Sequence, residues 1–170
     1  MDEITLKRIE TAHPDIREEL EQQYKEANNL LGKGVRLRFA YVYRTIEEQN
    51  ALFKQRPKVT NAKGGQSIHN YGLAFDIVLL YDLDNNGTFE TASWNLLKDH
   101  DKDGQADWLE VANYFKSKGW EYGGDWAKFK DYPHFQLKKK DGTSYTWQYL
   151  KKLIDDKKYI LDNGIKYPII

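Results

Sequence analysis

The stretch Ser67-Ile68-His69-Asn70-Tyr71-Gly72-Leu73-Ala74-Phe75-Asp76 decides how this chain is read. It sets a histidine and an aspartate at the two ends of a turn that runs into an apolar segment, Leu73 to Leu80. That segment predicts a central strand, and Asp76 lies inside it. An unpaired buried carboxylate costs several kcal/mol, so Asp76 requires a cation or strong donors. A metal shared with His69 is one solution; an ion pair with Arg44 is another. On a strand, Ala74, Asp76 and Val78 share one face, and Phe75, Ile77 and Leu79 share the other.

Far downstream, Asp131-Tyr132-Pro133-His134 adds a second histidine and a spare acid. The residues from His134 to Leu137 predict a further strand, with His134 and Gln136 on one face and Phe135 and Leu137 turned to the core. Two neighbouring strands would bring Asp76 and His134 together. His69 would reach them from the preceding turn, which Gly72 permits. His69, Asp76 and His134 then form three protein ligands with an open fourth position, the composition of a catalytic zinc site. Fe(II) oxygenases use a similar set. Asp131, close to His134 in sequence, is placed to take a proton from water at the open position without being a ligand. A lone histidine in a turn is usually structural, so the joint spacing carries this reading.

The chain has 170 residues, 40% hydrophobic and 31% charged, which fits one folded domain and excludes a disordered chain. The formal net charge is +0, which gives no basic surface for a phosphate backbone; the run Lys138-Lys139-Lys140 reads as a solvated strand end. With no cysteine, disulfides and thiolate ligands are excluded, and a transition metal has only histidines and carboxylates to bind. No apolar run approaches the ~20 residues that span a bilayer. The N-terminus is acidic and amphipathic, without a signal-peptide core. Synthesis in the cytoplasm is expected, or secretion if a leader has been removed.

The remaining elements are read from periodicity. Ile16, Leu20, Ala27 and Leu31 recur at helical spacing up to Gly32 and Gly34. Val35 to Tyr43 alternates, with Val35, Leu37, Phe39, Tyr41 and Tyr43 expected on one buried face. Thr45-Ile46-Glu47-Glu48 is a capping box that opens a helix to about Gln55. Residues 56–68 read as loop, and residues 81–106 lack core periodicity. Asp107 to Lys118 is helical, with Trp108, Val111, Ala112 and Phe115 on one face. Trp120 to Tyr132 reads as a Gly- and aromatic-rich loop. A last helix runs from Ser144 to about Lys157 and is followed by an extended tail. The fold class is α+β, with a small, mostly antiparallel sheet flanked by helices.

A second metal signal lies at Asp99-His100-Asp101-Lys102-Asp103-Gly104-Gln105-Ala106-Asp107-Trp108-Leu109-Glu110. It fits the calcium-loop pattern Asp-x-Asp-x-Asp-Gly-x5-Glu. Asp99, Asp101, Asp103, Gln105 and Glu110 are the expected calcium ligands. Asp82-Leu83-Asp84-Asn85-Asn86-Gly87 begins the same way but has Ser93 where the bidentate glutamate belongs. Calcium is expected to order the segment leading to Asp131 and His134, and so to support catalysis.

Ser67-x-His69-x-x-Gly72-x-Ala74-x-Asp76, Trp120-x-x-Gly123-Gly124-Asp125-Trp126 and Asp131-x-Pro133-His134-Phe135 together resemble the M15 family of zinc peptidases. That family holds D-alanyl-D-alanine carboxypeptidases and the L-alanyl-D-glutamate endopeptidases of phage and bacterial cell-wall lysis. The likeness is strongest to the L-alanyl-D-glutamate branch. It spans roughly residues 35–137 and implies a hedgehog/D,D-peptidase-like single domain over 1–170, with 144–170 packed on the catalytic core. It also implies zinc on His69, Asp76 and His134, and Asp131 as the base. Tyr43-Arg44-Thr45-Ile46-Glu47-Glu48-Gln49 resembles the family segment whose arginine polarises the scissile carbonyl, which gives Arg44 that role; a surface pair with Glu47 or Glu48 is the plainer reading. Ser67, Asp125 and Trp126 are the candidate substrate contacts. The implied substrate is the peptidoglycan stem peptide, met after release from the cell, by a monomer without nucleic-acid or membrane partners. The alternatives are a D,D-carboxypeptidase and a calcium-binding interaction module with a structural zinc; a spare acid at Asp131 argues against the latter.

Overall fold

A computed structural model describes residues 1–170. The sheet is built around β2, Ala74–Tyr81. β1, Val35–Tyr41, pairs antiparallel with β2 along its length, from Val35 opposite Tyr81 to Tyr41 opposite Asp76. The other edge of β2 is shared. β5, His134–Gln136, pairs with the Ala74–Asp76 half, and β3, Thr91–Ser93, pairs with the Leu79–Tyr81 half. β4, Glu121–Tyr122, closes the sheet beyond β5. All pairings are antiparallel, as expected for an α+β chain.

Period-2 alternation sorts β2 into two faces. Phe75, Ile77, Leu79 and Tyr81 are fully buried beneath α2, Arg17–Leu30, and α4, Asp107–Ser117. Phe75 stands at the centre of an aromatic stack, 4.3 Å from the Phe39 ring and 5.1 Å from that of Phe135, with Phe115 edge-on at 4.8 Å. Each such pair adds ~0.5–1.5 kcal/mol beyond its buried area. Asp76 therefore projects from a strand whose reverse side is pinned by stacked rings.

Several expectations are corrected. The helix read from Ile16 to Leu31 is α2, but it is preceded by elements the periodicity does not mark: α1, Glu3–Ile9, capped by the Asp2 side chain, and a 3-10 turn at Pro14–Ile16. Tyr41 is not on the core face. The β1–β2 register shifts between Phe39 and Tyr41, so Val42 is buried and Tyr41 is 48% exposed. Such a bulge re-aims the residues after it. β3 lies within the stretch read as having no core elements, because its three residues are too short for periodicity. The segment Trp120–Tyr132 contains β4 and a 3-10 turn, Gly123–Asp125. The extended tail is a hairpin, β6, Tyr159–Asp162, with β7, Ile165–Pro168.

The capping box holds: Thr45 accepts from Glu48 N while Glu48 reaches back to Thr45 N, opening α3, Ile46–Lys54. α5, Trp147–Asp155, packs through Leu150 against Ile68, Tyr71, Leu73 and Ala74. The β6–β7 hairpin ties the chain ends together. The Tyr167 hydroxyl donates to Thr11 O, His13 Nε2 lies 2.7 Å from Pro168 O, and Arg17 pairs with Asp162 at 2.6 Å.

Candidate active site

His69 sits in a 3-10 turn, Ile68–Tyr71, that the sequence closes at both ends. Ser67 caps it, accepting from His69 N, while Asn70 Oδ1 accepts from Ser67 N. Gly72 ends it at φ 70. A Cβ there would come within 2.7 Å of His13 N and 2.8 Å of Tyr167 Cε1, so both the left-handed conformation and the tight fit require glycine. Asn70 Nδ2 donates to Arg44 O, and Arg44 N donates to His69 O. The His69 turn and the bulged end of β1 are thus one hydrogen-bonded unit.

The strand register does the rest. Asp76 and His134 are directly opposed across the β2–β5 pair. His69 Nε2 and His134 Nδ1 each lie 3.1 Å from Asp76 Oδ1, and 3.2 Å from each other. His69 donates from Nδ1 to the Val42 carbonyl at 2.7 Å, which leaves its Nε2 as a lone pair. His134 Nε2 lies 3.0 Å from Gln136 Oε1, which leaves Nδ1 likewise. Three acceptor atoms therefore face one another with no donor between them. A tetrahedral ion bonded at about 2.0–2.1 Å has ligand–ligand edges of about 3.3 Å. The three observed edges match that geometry, and these residues could hold a metal.

The electrostatics point the same way. Burial alone would raise the Asp76 pKa; the two imidazoles overrule it and hold the carboxyl far below the usual range. Burial lowers the His134 pKa, and Asp76 and Gln136 outweigh it and raise the group.

A cleft of about 380 Å³ opens over the cluster, lined by Arg44, Ser67, Asp76, Trp126, Asp131 and His134 among others. Arg44 is buried; its Nη2 lies 3.4 Å from Asp76 Oδ2, and its Nη1 donates to Gln49 at 2.9 Å. Both anticipated readings of Asp76, shared donor cluster and arginine pair, are therefore present, whereas the surface pair of Arg44 with Glu47 or Glu48 does not form. Arg44 Nε is buried without a partner, and the guanidinium lies 4.7 Å from the Tyr41 ring centre. Asp131 stays open to solvent on one side. Packing around its carboxyl, and then the negative charge of Asp76, raise its pKa. Its backbone accepts from His134 N and donates to Gly123 O; a side chain at Gly123 would collide with the Asp131 carbonyl. The Trp126 ring centre lies 5.4 Å from that of His134.

Asp125 is not part of this cleft. Its carboxylate pairs with Lys116 of α4 at 2.5 Å. Sequence reading passed over Gln49 and Asn70, which hold Arg44 and the His69 turn. Both stand inside motifs already singled out, where a buried amide signals a positioning role.

The acidic loop forms a second cluster. Carboxylate oxygens of Asp99, Asp101 and Asp107 converge within 4.8 Å of one another, and so do those of Asp101, Asp103 and Glu110. Asp99 Oδ1 and Glu110 Oε2 are buried without partners. Burial, then the charges of Asp103, Asp101, Asp107 and Asp99, push the Glu110 pKa up to about 7. Gln105 N donates to Asp103 at 2.8 Å.

The family described as D-alanyl-D-alanine carboxypeptidase, a group of M15 peptidases, matches residues 60–137. Over 130 residues the chain is 38% identical to the peptidoglycan L-alanyl-D-glutamate endopeptidase CwlK of Bacillus subtilis strain 168, a match covering 74% of this chain and 72% of that protein. The chain belongs to the M15 peptidase family. This M15 metallopeptidase also shares its fold with the Serratia marcescens L-Ala D-Glu endopeptidase ChiX, at a TM-score of 0.54 and 21% identity, covering 81% of this chain and 89% of that one. His69, Asp76, Asp131 and His134 all fall within the family-matched span, and Arg44 lies outside it. No helix is long and apolar enough to cross a membrane.

Proposed function

We propose that this M15 peptidase is a zinc endopeptidase that hydrolyses the L-alanyl-D-glutamate bond of peptidoglycan stem peptides. One observation carries the reading: three proton-free acceptor atoms at tetrahedral-edge spacing share a cleft with an acid of raised pKa and a buried guanidinium. His69 Nε2, Asp76 Oδ1 and His134 Nδ1 are the atoms that would hold zinc. Bound zinc supplies Lewis-acid polarisation and lowers the pKa of a water. Asp131 accepts the proton of the attacking water and delivers it to the amine of the departing D-glutamyl residue. Its raised pKa suits an acid that must hold the proton between those two steps. Arg44, oriented by Gln49 and Tyr41, donates to the carbonyl oxygen as negative charge develops on it.

The substrate assignment draws on the activity named for CwlK and on the cleft itself. A second depression of about 540 Å³ runs along α3, lined by Glu48, Ala51, Lys54 and Gln55, and shares Tyr41, Arg44 and Leu52 with the cleft. A groove open beyond the reacting centre suits a chain that extends on both sides of the bond. A D,D-carboxypeptidase, the activity in the family description, needs room for only one terminal residue beyond it. Ser67 and Trp126 line the cleft and would contact the substrate, and Ser67 also holds the His69 turn. The residues act as one catalytic unit on the cell wall, with 144–170 packed on the core and the chain working as a monomer.

Calcium is the second proposed cofactor, bound by Asp99, Asp101, Asp103, Gln105 and Glu110. The unpartnered oxygens of Asp99 and Glu110 support it. The loop at 82–93 brings Asp82, Asp84 and Glu90 together, but it has no buried carboxylate oxygen without a partner like those of Asp99 and Glu110, and Ser93 stands where the bidentate glutamate belongs.

Digestion of purified peptidoglycan, with and without zinc and calcium, tests the reading. Mass spectrometry should find new glutamyl amino termini that depend on zinc. Release of free D-alanine alone would replace the endopeptidase with the carboxypeptidase, and no cleavage with zinc bound would refute both.

A further inference from the structure

Glu121 lies on β4, outside the proposed catalytic set, and its carboxylate accepts three side-chain hydrogen bonds. Trp126 Nε1 donates to Oε1 at 2.8 Å, Gln136 Nε2 donates to Oε2 at 3.1 Å, and the Ser144 hydroxyl donates to Oε2 as well. All three donors are neutral. No lysine or arginine lies within ion-pair distance, although the chain carries 26 of them. A strand-edge glutamate that serves only solubility would leave its charge to water or to a lysine.

The chemistry of these contacts runs in one direction. A carboxylate has no hydrogen to give, so the Gln136 amide must turn its NH2 toward Glu121. Its carbonyl oxygen must then face the other way, and it lies 3.0 Å from His134 Nε2. An amide oxygen only accepts, so His134 must carry its proton on Nε2. The lone pair is therefore on Nδ1, the atom that faces His69 and Asp76. Opposite residues of β4 and β5 make the arrangement possible: Glu121 and Gln136 are cross-strand partners. The same carboxylate holds the Trp126 indole, whose ring lies beside His134.

We infer that Glu121 is a positioning residue: acting through Gln136, it fixes the tautomer and ring orientation that His134 needs to bind a metal, and it seats the Trp126 wall of the cleft. The inference rests on the metal-site reading above. Outer partners of this kind change metal affinity about 10- to 100-fold when lost.

Glu121→Gln is nearly isosteric and offers the Gln136 amide a partner in either orientation, so the direction of the relay is lost. The zinc dissociation constant, measured by chelator competition, should rise about 10- to 100-fold. In zinc-loaded protein labelled at its four histidines, the hydrogen-bonded Nε2–H resonance of His134 should lose its exchange protection, a signature that a general loss of stability would not single out. The exchanged pair Glu121→Gln/Gln136→Glu again turns an acceptor-only group toward His134 and a donor toward residue 136. It should restore zinc affinity to within about threefold of wild type. A Glu121→Gln protein with unchanged zinc affinity and an unchanged His134 resonance overturns the relay, and so does an exchanged pair no better than the single variant. Wild type that binds no zinc would sink the metal-site reading together with the relay, whereas tight zinc binding with an indifferent Glu121→Gln sinks the relay alone.

Discussion

Glu110 should destabilise the calcium-free protein and stabilise the calcium-bound one, and the two effects can be separated. Its Oε2 is buried without a partner, and its pKa is pushed up from 4.5 to about 7. A raised folded-state pKa means that the folded chain holds the proton more tightly than the unfolded chain. The stabilising contribution is whole below about pH 4.5 and is lost as pH rises through about 7. Each pH unit corresponds to 1.36 kcal/mol, so the shift sets a ceiling of about 3 kcal/mol. Solvent on the outer side of the loop screens part of this, which leaves ~1–2 kcal/mol. In a chain of this length 1 kcal/mol moves Tm by ~2–4 °C. With calcium removed and zinc kept saturated at pH 8, Glu110→Gln should melt ~2–8 °C above wild type. At pH 5 most of that advantage should vanish, because wild-type Glu110 is then protonated. In saturating calcium the order should reverse, since the variant lacks the second carboxylate oxygen. Thermal melts at two pH values, with and without calcium, decide the matter. A variant no more stable than wild type in calcium-free buffer at pH 8 would refute the reasoning, as would an undiminished response to calcium.

Three further outcomes follow from the same structure. Asp131→Asn should lower kcat ~10²–10⁴-fold while zinc stays stoichiometric by metal analysis; retained turnover would remove Asp131 from the role of base. Gly72→Ala should cost ~2–5 kcal/mol, from the left-handed backbone and from overpacking against His13 and Tyr167; a denaturant midpoint close to wild type would show that the turn relaxes freely. Tyr122→Phe removes the acceptor of Trp108 Nε1, 3.1 Å away in the core, and should cost ~1–3 kcal/mol while weakening any calcium effect on turnover; an unaltered calcium response would place the coupling elsewhere.

The site was legible in the sequence because it follows from period-2 alternation. Once Asp76 and His134 are each on a strand beside a core aromatic, a single antiparallel pairing sets them opposite each other, and Phe75 and Phe135 on the reverse face enforce it. The capping box at Thr45 was equally readable, since it is local. What was missed depends on less local physics. Tyr41 alternates correctly for a buried face, and only the register shift after Phe39 turns it into the cleft; nothing in the spacing announces a bulge. Asp125 follows two glycines in a recognisable motif, but the direction of a side chain leaving a 3-10 turn is not set by spacing. The hairpin at the C-terminus carried its own signal, Asn163-Gly164, both residues at positive φ, which is the strongest short-range mark of a two-residue turn. The flanking strands are only four residues each, too short for alternation to mark them as more than an extended tail.

The acidic Asp99–Glu110 loop and the His69–Asp76–His134 cluster lie toward opposite ends of β2, and this limits how one could act on the other. Tyr81, the last residue of the strand, donates its hydroxyl to Asp107 within the loop. Asp76 is five residues away, roughly 17 Å along a strand. At that distance a doubly charged ion acts on one carboxylate by only about 0.5–2 kcal/mol at effective dielectrics of about 80–20, so the direct effect of a bound calcium ion on Asp76 is small. The larger influence is mechanical, and α4 provides the route. Glu110 stands in its first turn, Trp108 bonds Tyr122, and Tyr122 precedes the Gly123 turn that holds the Asp131 backbone. Farther along the helix, Phe115 packs edge-on to Phe75 and tilted against Phe135, the core neighbours of Asp76 and His134. Calcium would therefore change turnover by fixing where α4 sits, and a coupling of that kind should survive high salt as long as the ion stays bound.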